Sequence, residues 1–226
     1  MESYMNRISN TGIVPVVKIL EKEDAYPLAK ALLNGGIDVI EVTYRSEHAT
    51  SAIQTISEQL PDMLVGAGTV LSVEQAKEAV EAGAKFIITP GFNTKVVQWC
   101  LDHDVEVYPG VSTASEVEMA LSMGLTQLKF FPAESSGGAK KLKDLSAPYA
   151  NVHFMPTGGI NTKNMHDYLS LPNVEAIGGS FMLPNDLVVA KDWDGIEALS
   201  RSAIKSLLDF QLIHVGINTN SPEESK

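Results

Sequence analysis

Gly35-Gly36-Ile37-Asp38-Val39-Ile40-Glu41-Val42-Thr43 reads as a helix terminator running straight into a strand. Glycine takes the left-handed conformation that ends helices at little steric cost, and Val, Ile and Thr suit a pleated backbone. The preceding stretch, 24–34, has helical apolar spacing, so the whole is one helix-to-strand unit. The device recurs at Gly83-Ala84 and Gly124-Leu125, each between a helical stretch and a strand. β-branched runs fall at 13–17, 37–42, 63–67, 85–88, 105–108, 126–131, 152–155 and 174–177. Helical patterns at 24–34, 46–60, 73–81, 94–103, 114–123 and 163–169 lie between them. Such alternation predicts βαβ units on a parallel sheet. Eight strands in about 200 residues suit an α/β protein built as a single (β/α)8 TIM barrel. A doubly wound open sheet is the competing architecture.

The chain of 226 residues is long enough for one large core. The barrel is expected over 1–215, with a short covering helix before residue 13, and 216–226 as a polar, disordered tail. Apolar residues make up 44% and charged residues 20%, which argues against disorder. The net charge of −11 makes nucleic acid and anionic membranes poor partners. An anionic substrate would need a locally positive pocket. The single cysteine, Cys100, allows no internal disulfide. The first residues carry no apolar leader, and no window reaches the roughly 18 apolar residues of a membrane span. The expected location is the cytoplasm.

Side chains alternate faces along a strand. Val39, Glu41 and Thr43 share one face of the second run, and Gln127, Lys129 and Phe131 share one face of the sixth. Val65, Ala67 and Thr69 align in the third. The reading places Glu41, Lys129 and Thr69 inside the barrel, near the C-terminal strand ends where barrel enzymes keep their active sites. Lys129 lies within Leu128-Lys129-Phe130-Phe131-Pro132, where a charged side chain is costly to bury. A structural lysine would snorkel to the rim. In the functional reading, desolvation and a cationic neighbour favour an uncharged, nucleophilic amine. Glu41 is read either as a buried counter-charge or as a general acid/base, and Arg45 either as a surface charge or as a carboxylate anchor.

Gly158-Gly159 follows the seventh run and Gly178-Gly179-Ser180 the eighth. Glycines can simply make turns. Two such pairs at adjacent strand ends point instead to backbone N–H groups and helix N-termini gathered around a phosphate. Gly66-Ala67-Gly68-Thr69 lacks the full dinucleotide fingerprint. The five histidines show no metal-ligand spacing, so neither metal nor cofactor is expected.

Glu41-Val42-Thr43-Tyr44-Arg45, Gly66-Ala67-Gly68-Thr69-Val70, Thr89-Pro90-Gly91, Lys129-Phe130-Phe131-Pro132-Ala133-Glu134, Pro156-Thr157-Gly158-Gly159-Ile160 and Ile177-Gly178-Gly179-Ser180 occur in that order. Taken together, from about residue 13 to 183, the set resembles the bacterial 2-keto-3-deoxy-6-phosphogluconate aldolases, which often also act on 4-hydroxy-2-oxoglutarate. The resemblance implies a metal-independent, class I lyase of the Entner–Doudoroff type, usually a homotrimer, acting on a small 2-keto acid. It implies Lys129 as the Schiff-base residue and Glu41 as the general acid/base. Arg45 and Thr69 would hold the pyruvate carboxylate and nearby polar atoms. Pro90 and Phe131 would wall the pocket, and Thr157, Gly158, Gly159, Gly179 and Ser180 would hold the substrate phosphate. Tyr44 stands where a leucine is often found. An aldolase for the galactonate-derived epimer, a phosphate-binding barrel isomerase and a non-catalytic sugar-phosphate sensor are the alternatives.

Overall fold

The computed structural model describes residues 4–208. The expected tail at 216–226 lies outside them. After a first helix, α1 (Tyr4–Thr11), strands and helices alternate: β1 (Ile13–Val17), α2 (Ala25–Asn34), β2 (Val39–Thr43), α3 (Ala49–Gln59), β3 (Leu64–Gly68), α4 (Val73–Glu81), β4 (Phe86–Ile88), α5 (Thr94–Asp102) and β5 (Glu106–Tyr108). They continue with β6 (Gly110–Val111), α6 (Ala114–Ser122), β7 (Gln127–Phe130), α7 (Gly138–Ser146), β8 (His153–Pro156), α8 (Met165–Leu169), β9 (Ile177–Gly179), α9 (Asn185–Ala190) and α10 (Trp193–Leu207). The result is an α/β fold on parallel sheets. One sheet has six strands in the order β5-β4-β3-β2-β1-β9, and the other has three in the order β6-β7-β8.

The fifth expected strand, 105–108, is found as β5, and a further short strand, β6, follows it outside the expected runs. Pro109 sits between β5 and β6 and has no N–H for the ladder. Its carbonyl still accepts from the Lys129 N–H at 3.0 Å. The eighth expected strand moves. The regular pairing is at Ile177–Gly179, not 174–177, and Val174 makes only an isolated bridge to Phe154. A second bridge joins Thr157 to Gly178.

Local sequence explains the helix ends. Ser72 accepts from the Gln75 N–H at the start of α4, and Asn93 from the Lys95 and Val96 N–H groups at the start of α5. Thr113 and Glu116 form a reciprocal capping box on α6. At the other ends, Gly36, Gly83 and Gly124 take positive φ, the conformation expected from the repeated helix-to-strand glycines. Helices α7, α9 and α10 lie outside the helical patterns that the sequence suggested.

Two apolar layers separate the faces of the sheets. Ile40, Val42, Val65, Ala67, Ile87, Leu128 and Phe130 belong to the larger cluster, which packs against the helices. Val14, Val39, Leu64, Phe86, Ile88, Tyr108 and Met155 form a second cluster on the opposite face, drawn from both sheets. Met5 and Ile8 of α1 close this second cluster. Fully burying each such aliphatic side chain contributes roughly 1.5–3 kcal/mol. The faces correct one expectation. In β3 it is Leu64, Gly66 and Gly68 that share the face of Glu41, while Val65 and Ala67 turn to the helices. Thr69 lies beyond the strand, at φ 54°.

Candidate active site

Glu41 is the central residue of β2, and its face is set by alternation from Val39, which lies in the inner cluster. Lys129 is likewise set by Leu128 and Phe130, which face the helices. The two strands belong to different sheets, yet Lys129 Nζ lies 3.2 Å from Glu41 Oε1. Their side chains are 5% and 0% exposed, so this is not a surface ion pair. Removing two charges from water costs several kcal/mol per ion, so such a pair is weak evidence for stability. Among the described residues, Glu41 Oε2 is buried and has no hydrogen-bond partner. A carboxylate within hydrogen-bond reach of the lysine is placed to exchange protons in a general acid/base step.

Glycines make this pair possible. Gly68 stands beside β2, and a Cβ there would lie 2.0 Å from Glu41 Oε1. Gly110, the register partner of Lys129, lets the Pro90 carbonyl approach to 2.3 Å from where its Cβ would be. Pro90 is thereby held next to the strand that pairs with the lysine. Phe131 is half-buried, and its ring centroid lies 5.2 Å from Lys129 Nζ. That distance allows a cation–π contact with the protonated amine. Thr69 is half-buried just after Gly68.

Arg45 lies past the end of β2 and is exposed. Its Nε donates to Thr43 Oγ1 at 3.1 Å, and the buried Thr43 hydroxyl donates to the Val17 carbonyl at 2.7 Å. The guanidinium is thus steered by a buried side chain. Arg45, Lys18 and Ser180 line one cleft of about 160 Å³. Lys18 was not singled out from the sequence. It follows β1 in Val16-Val17-Lys18, and a cation just past a buried strand end was the available signal. Tyr44, beside Arg45, bonds to the Thr50 hydroxyl at 3.0 Å, and burial pushes its phenol above the usual tyrosine value.

Thr157, Gly158 and Gly159 follow β8, and Gly179 and Ser180 close and follow β9. The two loops are adjacent, because Thr157 bridges Gly178 and a Cβ at Gly178 would lie 2.2 Å from Thr157 Oγ1. Thr157 is buried, Gly158 half-buried, and Gly159 and Ser180 exposed. One part of the expectation weakens. The helices after these loops, α8 and α9, have only 5 and 6 residues, so their dipoles contribute little. Cys100 is fully buried in the main core, where desolvation pushes its thiol up to about 12. It takes no part in this site. Among the described residues there is no group of three or more His, Cys, Asp or Glu placed to hold a metal ion.

A buried lysine–carboxylate pair carried on two parallel strands is an arrangement that carbonyl-directed lyase chemistry can use, and comparison with known proteins agrees. The aldolase family described as KDPG and KHG aldolase matches residues 4–199, and the chain belongs to that family. A 2-dehydro-3-deoxy-phosphogluconate aldolase of Treponema pallidum is 44% identical over 91% of this chain and 98% of its own length. The KHG/KDPG aldolase of Escherichia coli K12 is 44% identical over 88% and 93%. Among solved structures, the KDPG aldolase of Legionella pneumophila is 39% identical with a TM-score of 0.86, covering 90% of this chain and 99% of that one. That structure holds pyruvate as a covalent carbinolamine.

Proposed function

We propose that this protein is a class I, metal-independent aldolase that cleaves 2-keto-3-deoxy-6-phosphogluconate to pyruvate and glyceraldehyde 3-phosphate, and also takes 4-hydroxy-2-oxoglutarate. The observation that carries the reading is the buried Lys129–Glu41 pair, 3.2 Å apart. The names of the relatives, which match over most of their lengths, support the substrate class.

In this reading the neutral Lys129 amine attacks C2 of the keto acid to form a carbinolamine. Glu41, through a water, protonates the leaving hydroxyl, and loss of water gives a protonated imine. Glu41 then takes the C4 hydroxyl proton. The C3–C4 bond breaks, its electrons move into the imine as an enamine, and the aldehyde leaves. Protonation of C3 and hydrolysis return pyruvate and the free lysine. Covalent catalysis replaces one hard step by several easier ones. The imine is the electron sink, so full activity is expected in the presence of a chelator.

Arg45 suits the substrate carboxylate because its planar fork can bind two oxygens. Thr69 supplies a neighbouring polar atom, and Pro90 and Phe131 wall the reacting carbons. Thr157, Gly158, Gly159, Gly179 and Ser180 take the phosphate. Lys18, in the cleft shared with Arg45 and Ser180, adds positive charge that a substrate with both a carboxylate and a phosphate needs against a net charge of −11. The two sheets form one closed (β/α)8 barrel in this reading. It is supported by the β1–β9 pairing, by the two bridges across β8 and β9, and by the continuity of β5 and β6 through Pro109. A cytoplasmic homotrimer completes the proposal. No helix among the described residues is long and apolar enough to cross a membrane.

Borohydride reduction in the presence of pyruvate tests the chemistry. It is expected to add one reduced pyruvyl group to the peptide containing Lys129. An unmodified Lys129 peptide, with substrate still bound, would favour a sensor or isomerase and sink the aldolase mechanism.

A further inference from the structure

Behind the Gly158-Gly159 turn stands a pair of residues that the mechanism does not use. Glu134 follows β7, and its backbone N–H donates to the Gly158 carbonyl at 3.1 Å. The preceding residue, Ala133, donates to the Thr157 carbonyl at 2.7 Å, so the two loops are laced together. Gly159 has φ 82°, and a Cβ there would lie 2.6 Å from Glu134 Cγ, so the Glu134 side chain packs directly against the turn. The Glu134 carboxylate accepts a hydrogen bond from the Tyr168 hydroxyl of α8. Tyr168 is 1% exposed and therefore a fixed anchor, whereas Glu134 is on the surface. From the far side, the Asn161 and Asn164 side-chain amides both donate to the Gly159 carbonyl, at 3.3 and 3.2 Å.

We propose that Glu134, tied to Tyr168, is a positioning residue that holds the 157–159 turn in shape for a phosphate monoester, and so sets the preference for phosphorylated over unphosphorylated substrate. The physical reason has two parts. Backbone N–H groups bind an anion well only when they are already aimed at it, because ordering the loop on binding costs affinity. The Tyr168 hydroxyl also holds the Glu134 carboxylate in one orientation, so that the side chain stays packed against Gly159. Burial and the nearby Glu134 charge both keep the Tyr168 phenol protonated, so it remains a donor at neutral pH.

This inference rests on the proposed reaction. The test compares KM and kcat for 2-keto-3-deoxy-6-phosphogluconate and for 4-hydroxy-2-oxoglutarate in the wild type, Glu134→Ala, Glu134→Gln and Tyr168→Phe. Glu134→Ala removes a surface side chain, so the protein is expected to fold, and a thermal melt checks this. It is expected to raise KM for the phosphorylated substrate about tenfold, the effect of losing one charge-assisted hydrogen bond. KM for the unphosphorylated substrate and kcat for both should stay within about twofold. Tyr168→Phe should move in the same direction. Glu134→Gln keeps the acceptor and should restore most of the wild-type KM. Equal changes on both substrates, or none, would overturn the inference while leaving the reaction intact. A wild type that cleaves neither substrate would overturn the proposed reaction and this inference with it.

Discussion

Lys129 Nζ and Glu41 Oε1 are 3.2 Å apart although their residues are 88 positions apart in the chain and belong to different sheets. Each is the other's compensation for being out of water. Lys129→Met therefore strands a carboxylate, and is expected to lower the unfolding free energy by about 3–5 kcal/mol. Lys129→Met combined with Glu41→Gln should recover a large part of that loss, since neither remaining group is charged. Urea unfolding of the two single variants and the double variant reads the coupling. Strictly additive losses would mean the pair is not isolated from solvent.

Glu41→Gln separates proton transfer from covalent capture. The amide cannot accept a proton, so kcat should fall by about 10²–10⁴-fold. The Lys129 amine remains, so borohydride trapping of pyruvate should persist, at a slower rate. Steady-state kinetics and mass spectrometry of the trapped peptide give the two readouts.

Gly68 and Gly66 are neighbours on one strand face with different jobs. A Cβ at Gly68 would meet Glu41 Oε1 at 2.0 Å, whereas one at Gly66 would meet the Phe86 ring at 2.1 Å. Gly68→Ala should displace the carboxylate and cost about 10²-fold in kcat, the scale of an ångström misplacement. Gly66→Ala should instead overpack the inner cluster and cost about 1–3 kcal/mol of stability, with a smaller effect on kcat. Thermal melts and kinetics on both variants distinguish these outcomes.

Cys100 offers a check on the core. Its thiol is pushed up to about 12 by burial, from a reference near 9. The native protein should not react with disulfide reagents at pH 8, and labelling should follow unfolding. The sign for stability follows from the raised value. The folded state keeps the proton while the unfolded state loses it, so stability falls as pH rises from about 9 towards 12. Rapid labelling of the native protein at pH 8 would place the thiol at the surface.

Much of the architecture was legible because it depends on local patterns. The terminating glycines and the β-branched runs act within a few residues, and they mark the α/β alternation. Alternation within a strand also gave the correct faces for Glu41 and Lys129. It failed for β3. Parity groups Thr69 with Val65 and Ala67, which face the helices, whereas the Glu41 face carries Leu64, Gly66 and Gly68, and glycines offer no side chain to read. The eighth strand was misplaced for a similar reason. Its paired residues include Gly178 and Gly179, and a glycine strand carries no β-branched signal.

The chain order of residues was enough to establish a repeating strand–helix protein, to single out Lys129 and Glu41 as charges in apolar strands, and to carry the family resemblance. Only the three-dimensional structure decided that those two charges meet, that Lys18 joins Arg45 and Ser180 in one cleft, and that Glu134 backs the 157–159 turn. The physical reason is range. Backbone propensity and side-chain alternation are set by near neighbours, whereas distances between side chains on strands far apart in sequence are set by how the packed layers bring those strands together.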